Sequence, residues 1–475
     1  MNKLILAASV AAFAIVAPTA PATAQSAQDR LDERYERALA AGYKAMMLCS
    51  AMSTSERLGG SRTAQSIHEW ELTGIYPALD PIIRDLPYEL VRYAVEGMET
   101  PPVYQVRVEW ADDMPARAAT QSVAGGCYVE PIGTANEDPL PLSAESATDD
   151  VPAEAWVIDQ SVLESRAAGE LSAAAFDGTY GEGSRTTAAL IVKDGAIVLE
   201  DYAQGFGPDT PQRTWSVAKS IAATLVGVAM LADQMDVNQP IGLNYWRQGG
   251  SADLRNRITI DHALRMATGR YSDTPGNRTD PLYWGGSTVN ETATAWPVVH
   301  MPGTVFRYAN NDTLLAAKSV ERYLNYYPPE EVLGRFGMHR TIAESDWSGG
   351  YVLSSQVWST ARDLALLGQL HINDGVVDGE RHLPEGWVEY VSDPSGPQPE
   401  GRNWGYGAGW WTFRRPEGNA FEGVPDDAFA ARGNRGQYVV VVPSRNVVIV
   451  RRGEDMVGTR FDIAAFTRDV LAALD

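Results

Sequence analysis

Cysteine is nearly absent from this chain: Cys49 and Cys127 are the only two in 475 residues. They form no Cys-x-x-Cys, so neither a thiol redox motif nor a zinc knuckle is readable. Histidine is scarce too, six in all, with no His-Glu-x-x-His. No metal-ligand set emerges, and no metal is expected. The chain also lacks a glycine-rich phosphate loop, a dinucleotide fingerprint and a Gly-x-Ser-x-Gly elbow, so no cofactor is expected either. Basic residues are outnumbered, 39 Lys and Arg against 61 Asp and Glu, for a formal charge of −22. That balance argues against nucleic acid and anionic membrane surfaces as partners. Beyond the N-terminus no stretch reads as long and apolar enough to span a bilayer. No membrane span is therefore expected in the mature protein, and nothing in the sequence sets an oligomeric state.

What is present begins with an export signal. Lys3 gives the charged start, residues 4–16 an apolar core, and Ala22-Thr23-Ala24 a small-residue cleavage site. Residues 1–24 are expected to be removed and the protein to act in the periplasm or outside the cell; an uncleaved anchor is the alternative. In an oxidising compartment Cys49 and Cys127 are most simply a disulfide, with two buried thiols as the other reading. Residues 25–130 then read as a first unit of unknown role, helical over 28–52 and strand-like over 103–110. Residues 131–160, rich in Pro, Ala, Ser and acids, read as a linker. A second unit covers 161–475. Strands at 186–192 and 196–202 are joined by Lys193-Asp194-Gly195, a hairpin signal. A mostly helical lobe spans about 230–375, with Thr259 or Asp261 as possible helix caps. Strands return at 437–442 and 447–452, and a terminal helix at 461–474. The expected fold is α/β of the α+β type: an antiparallel sheet flanked by helices, with an all-helical lobe inserted and an N-terminal extension.

The chemistry gathers around Thr214-Trp215-Ser216-Val217-Ala218-Lys219-Ser220. Residues three apart on a helix share a face, so Ser216 and Lys219 would lie side by side. Serine needs a base to become a nucleophile, and burial pushes a lysine toward the neutral form that can act as one. A helix start with a serine and a lysine in its first turn is the plain alternative. A second proton carrier has two candidates, Tyr308-Ala309-Asn310 on a loop and Tyr323-Leu324-Asn325 at a helix end. The first is preferred, because a tyrosine on a rigid loop can be aimed into a cleft, although a turn-capping tyrosine is the other reading.

With these motifs the sequence resembles the serine β-lactamase and penicillin-binding superfamily, closest to the class C β-lactamase-related esterases and aminohexanoate-oligomer hydrolases. The resemblance runs from about residue 180 onward. It rests, in order, on the Ser216 segment, on 261–269, on Pro302-Gly303 with Tyr308-Ala309-Asn310, on 359–365 and on Gly433-Asn434-Arg435-Gly436-Gln437. The resemblance implies a β-lactamase-like fold and a serine hydrolase acting on a small-molecule ester or amide. It makes Ser216 the acylated nucleophile, Lys219 its proton acceptor or tuner, Tyr308 the relay to the leaving group and Asn310 the holder of Lys219. The backbone N–H groups of Ser216 and Asn434 would form the oxyanion hole. A β-lactamase or D-amino-acid peptidase, and a non-catalytic penicillin-binding-type sensor, are the alternatives. The chain departs from the family in the third motif, where Ala431-Arg432-Gly433 replaces a Lys-Thr-Gly or His-x-Gly. Strand alternation would put Arg435 on the same face as Ala431 and Gly433, so Arg435 could replace the missing cation or pair with a surface acid. Gly433, Arg435, Trp215, Tyr406 and Trp410 are the substrate-side candidates. The Trp404, Tyr406, Trp410, Trp411 cluster reads either as cleft lining or as core.

Overall fold

A computed structural model describes residues 22–122, 125–135, 138–139, 151–152, 156–271, 282 and 286–475. Nearly all of the expected export signal, and residues 140–150 of the expected linker, lie outside the described residues.

The first unit is one long helix laid on a small sheet. α1 (Ala22–Arg57) runs well past both ends of the 28–52 reading. Its Ala-rich, proline-free sequence favours continuation, and Gly59, with φ 75°, turns the chain just beyond its end. The stretch from Ala38 to Met52 is almost wholly buried. It packs on a four-stranded antiparallel sheet, in the order β1 (Tyr88–Arg92), β2 (Val103–Val108), β3 (Arg117–Gln121), β4 (Cys127–Val129). α2 (Ala64–Trp70) and α3 (Asp80–Asp85) join helix to sheet. Cys49 of α1 and Cys127 of β4 are joined as a disulfide across 78 residues of chain; such closures typically stabilise by about 2–4 kcal/mol.

The second unit is built on an eight-stranded sheet. Its strands are β5 (Val157–Ile158), β6 (Thr186–Lys193), β7 (Ala196–Tyr202), β13 (Gly405–Tyr406), β14 (Trp411–Thr412), β17 (Phe429–Gly433), β18 (Gln437–Val442) and β19 (Val447–Gly453). They run in the order β13-β14-β17-β18-β19-β6-β7-β5. All neighbours are antiparallel except β5, which pairs parallel with β7. β5 falls inside the stretch read as linker; two residues are too few to show a strand period. The Asp-Gly hairpin forms with φ 51° at Asp194 and 82° at Gly195, the pair of positive values that a tight type I′ turn requires. Alternation along β6 splits two cores: Leu190 and Val192 face α5 (Ala218–Asp233), while Ala189 and Ile191 face α4 (Ser165–Phe176) and the terminal helix Ile463–Ala473.

Between β8 (Gln212–Arg213) and β9 (Thr341–Ala343) come α5 and a series of short helices, among them Ile260–Leu264 and Asn310–Ser319. Thr259, not Asp261, caps the former, in a reciprocal box with His262. β10 (Val357–Ser359) lies between β8 and β9 in a three-stranded sheet. Short hairpins β11–β12 (Val376–Val377, Glu380–Arg381) and β15–β16 (Arg414–Arg415, Gly418–Asn419) complete the strands. One sequence expectation needs correction: Trp215–Asp233 is long and apolar enough, by length and composition, to cross a bilayer. It is mostly buried inside the protein and serves as the central core helix.

Candidate active site

The site starts with a kink. Trp215 holds φ 51°, a left-handed value unusual for a bulky residue and sustained only where neighbours enforce it. The Arg213 guanidinium stacks 3.7 Å over the Trp215 ring, and Arg213 Nε donates to the Ser355 carbonyl at 3.2 Å. One 3₁₀ turn, Trp215–Val217, then feeds α5. The turn leaves Ser216 partly exposed between buried Trp215 and Val217.

Lys219 follows one helical turn later and is 1% exposed. Its Nζ lies 3.3 Å from Ser216 Oγ, donates to Asn310 Oδ1 at 2.5 Å and to the Ser354 carbonyl at 2.7 Å. Among the described residues no carboxylate balances it there. Burial, helped by the Arg213 charge, lowers its pKa to about 7. The Tyr308 ring stands 5.1 Å from the same Nζ. The Tyr308 phenol is hydrogen-bonded to Ser216 and Trp411; burial pushes its pKa up to about 12 against the pull of those bonds and of Arg432. Tyr308 is backed by Trp411 at 5.4 Å and Tyr406 at 6.1 Å between ring centroids. Tyr323, by contrast, is packed in the helical core and takes a hydrogen bond from Arg335 at 3.2 Å.

The end of β17 closes the other side. A Cβ on Gly433 would lie 2.5 Å from the Thr214 carbonyl and 3.2 Å from the Ser216 nitrogen. Only a residue without a side chain lets the strand approach the nucleophile's backbone this closely. Asn434 follows at once and is exposed.

Thus Ser216, Lys219, Tyr308, Asn310, Trp215 and Gly433 come together, with Asn434 next to them in the chain. Three candidates do not join them. Trp410 is fully buried against His371 and Phe429, at 4.6 and 5.1 Å; its neighbour Trp411 takes the side facing Tyr308. Tyr406 is 1% exposed and supports Tyr308 from behind. Arg435 is the larger correction. β17 ends at Gly433 and 434–436 form a turn with φ 58° at Arg435, so the strand alternation stops before reaching it. Its side chain is buried and paired with Glu454.

A cation follows Ala431 directly in β17. Arg432 lies 4.0 Å over the Trp404 ring and 5.0 Å over that of Trp411. Its Nε is buried without a hydrogen-bond partner among the described residues, and burial lowers its pKa to about 10. Reading both faces of the strand would have found it. Arg213 and the Ser354 carbonyl were also missed, and a backbone carbonyl carries no sequence signal. Among the described residues no cluster of His, Cys, Asp and Glu could hold a metal ion.

Residues 173–474 match the family model described as Beta-lactamase. The chain is 26% identical over 306 residues to the 6-aminohexanoate-dimer hydrolase of Paenarthrobacter ureafaciens, covering 56% of this chain and 72% of that one. Its fold matches a putative β-lactamase from Bacteroides dorei DSM 17855 with TM-score 0.53 and 16% identity, over 66% of this chain and 99% of that one. It also matches a penicillin-binding protein homolog from Caulobacter crescentus with TM-score 0.52 and 16% identity, over 67% and 99%. The family match takes in the Ser216 turn, Tyr308 and the β17 edge, and leaves the α1 unit outside it. On that match the chain belongs to the β-lactamase family and is a serine hydrolase.

Proposed function

We propose that the protein is an exported hydrolase that cleaves a small ester or amide through an acyl-enzyme on Ser216. The observation that carries the reading is the 3.3 Å separation of Lys219 Nζ from Ser216 Oγ, inside a pocket that keeps part of the amine neutral near pH 7. Neutral Lys219 takes the Ser216 hydroxyl proton as Oγ bonds to the substrate carbonyl carbon. The oxyanion so formed sits against the N–H groups of Ser216 and Asn434. Tyr308 hands a proton to the departing alcohol or amine as the old bond breaks, and is reprotonated from Lys219. Water then repeats the sequence on the acyl-enzyme and frees the acid. Asn310 and the Ser354 carbonyl hold the amine in line. Export is supported by the N-terminal signal pattern and by the disulfide.

The second reading, a β-lactamase or D-amino-acid peptidase, is favoured by Arg432 alone, since a guanidinium whose Nε has no hydrogen-bond partner among the described residues suits a substrate carboxylate. A panel of aryl esters, short amides and β-lactams on wild type and Ser216→Ala tests both. Turnover confined to wild type, with esters or amides ahead of β-lactams, is the expected result. Full turnover by folded Ser216→Ala removes the proposal.

A further inference from the structure

Arg435 ties the β17 edge to the N-terminal unit. Its Nε donates to Glu454 Oε2 at 2.5 Å, and its Nη2 donates to the Glu454 carbonyl at 3.1 Å and to the Trp70 carbonyl at 2.7 Å. The two charged side chains are 2% and 1% exposed. Trp70 is the last residue of α2, where carbonyls lack helical partners. It is itself clamped: the Arg185 guanidinium lies 4.2 Å over its ring, and the Phe206 ring meets it edge-on at 5.2 Å. Arg185 also donates to the Glu69 carbonyl at 3.0 Å. A buried Arg62–Glu71 pair, 2.8 Å apart, fixes the chain on either side of α2. Gly74 comes so near that an added Cβ would run into Met456 and lie 3.5 Å from Arg435 Nη1.

The backbone that Arg435 anchors is the turn between β17 and β18. Its carbonyl accepts from Asp455 N at 3.2 Å, and the Gly436 carbonyl accepts from Arg451 Nη1 at 2.9 Å. A left-handed arginine is held there against a conformational cost, which persists only because these contacts over-determine it. The preceding two residues are Asn434 and the Gly433 that touches the Ser216 backbone.

We propose that Arg435 is a positioning residue for the oxyanion contact, and that the N-terminal unit, through the Trp70 carbonyl, is part of the catalytic apparatus. This rests on the acyl-enzyme reading, in which the Asn434 N–H meets the oxyanion. The α1 unit therefore braces the cleft from behind, and substrate does not touch Arg435.

The test uses the full chain, a neutral aryl ester and an arylboronic acid as mimic of the tetrahedral state. Arg435→Gly keeps the left-handed backbone accessible and removes the guanidinium; Arg435→Lys keeps charge and loses the fork. Misplacement by about 1 Å costs about 10²-fold, similar to losing one oxyanion donor. The expected result is a kcat lower by about 10–100-fold, with KM for the ester nearly unchanged and boronate affinity falling in step with kcat. A lower melting temperature with kcat kept within about threefold of wild type overturns the proposal, as does a rise in KM alone. If Arg435→Gly does not fold, Arg435→Lys decides by the same criteria. Wild type that a fluorophosphonate probe phosphonylates at Ser216, while Arg435 variants turn over at full rate, ends this inference only. Wild type that is not phosphonylated at Ser216 ends the reading beneath it.

Discussion

Lys44 and Lys219 are two buried lysines in nearly the same surroundings. Each is 1% exposed. Lys44 Nζ donates to the carbonyls of Ile83 and Leu86 at 2.8 and 2.6 Å and lies 4.8 Å over the Tyr88 ring. Lys219 Nζ donates to Asn310 and to the Ser354 carbonyl and lies 5.1 Å over the Tyr308 ring. Desolvation lowers both, Lys44 to about 8 and Lys219 to about 7; Asp85 pulls the first back up and Arg213 pushes the second further down. What separates them is the third direction around the amine. Lys219 has Ser216 Oγ at 3.3 Å, whereas the hydrogen bonds of Lys44 go to backbone carbonyls at the end of α3. Burial makes an amine a possible base, and a hydroxyl within reach is what the proposed mechanism requires of it. In Lys44 the same chemistry pins a helix end.

The comparison breaks most visibly in substitution. Lys219→Ala should lower kcat by about 10³-fold or more, in the range seen when a general base is removed. Lys44→Met should leave kcat alone. Steady-state kinetics on both variants decides this, and a large loss of kcat in folded Lys44→Met would contradict the distinction. Next in size, Tyr308→Phe should cut kcat by about 10²–10³-fold with little change in melting temperature, while Tyr323→Phe stays near wild type.

The pH profile sharpens the same contrast. The amine accepts a proton only when neutral, and its pKa is lowered to about 7. Acylation should therefore rise about tenfold per pH unit below 7 and level off above it. A single-turnover profile that stays flat from pH 5 to 8 would separate Lys219 from the base role. A smaller effect is expected at Arg432. Arg432→Ala should weaken carboxylate-bearing substrates by about tenfold and neutral esters far less, since a charge-assisted hydrogen bond is about twice as strong as a neutral one. The smallest is thermodynamic. Lys44→Met should destabilise the fold by about 2 kcal/mol by leaving buried carbonyls unpaired, measured by denaturant unfolding.

How far the sequence reached depended on how local each feature is. Ser216 and Lys219 are three residues apart on one helical turn, so their meeting follows from helix geometry. Asp194-Gly195 turned as its dihedral demands predict. Arg435 failed because strand alternation was carried two residues past the point where β17 ends. The cation next to Ala431 is Arg432, on the opposite face of the strand. Trp410 and Trp411 show the same sensitivity: adjacent residues, one facing the core and one facing Tyr308. β5 was too short to have a period, and the Trp70–Arg435 contact joins positions 365 residues apart, beyond the reach of any local pattern.

The measurement closest to the central claim is a peptide map of the fluorophosphonate-treated protein. Trypsin cuts after Arg213 and Lys219, which isolates residues 214–219 with Ser216 as their only serine. The account predicts one phosphonyl group on that peptide in wild type, and none anywhere in Ser216→Ala. An adduct on another peptide, formed at the same rate in both proteins, would contradict it.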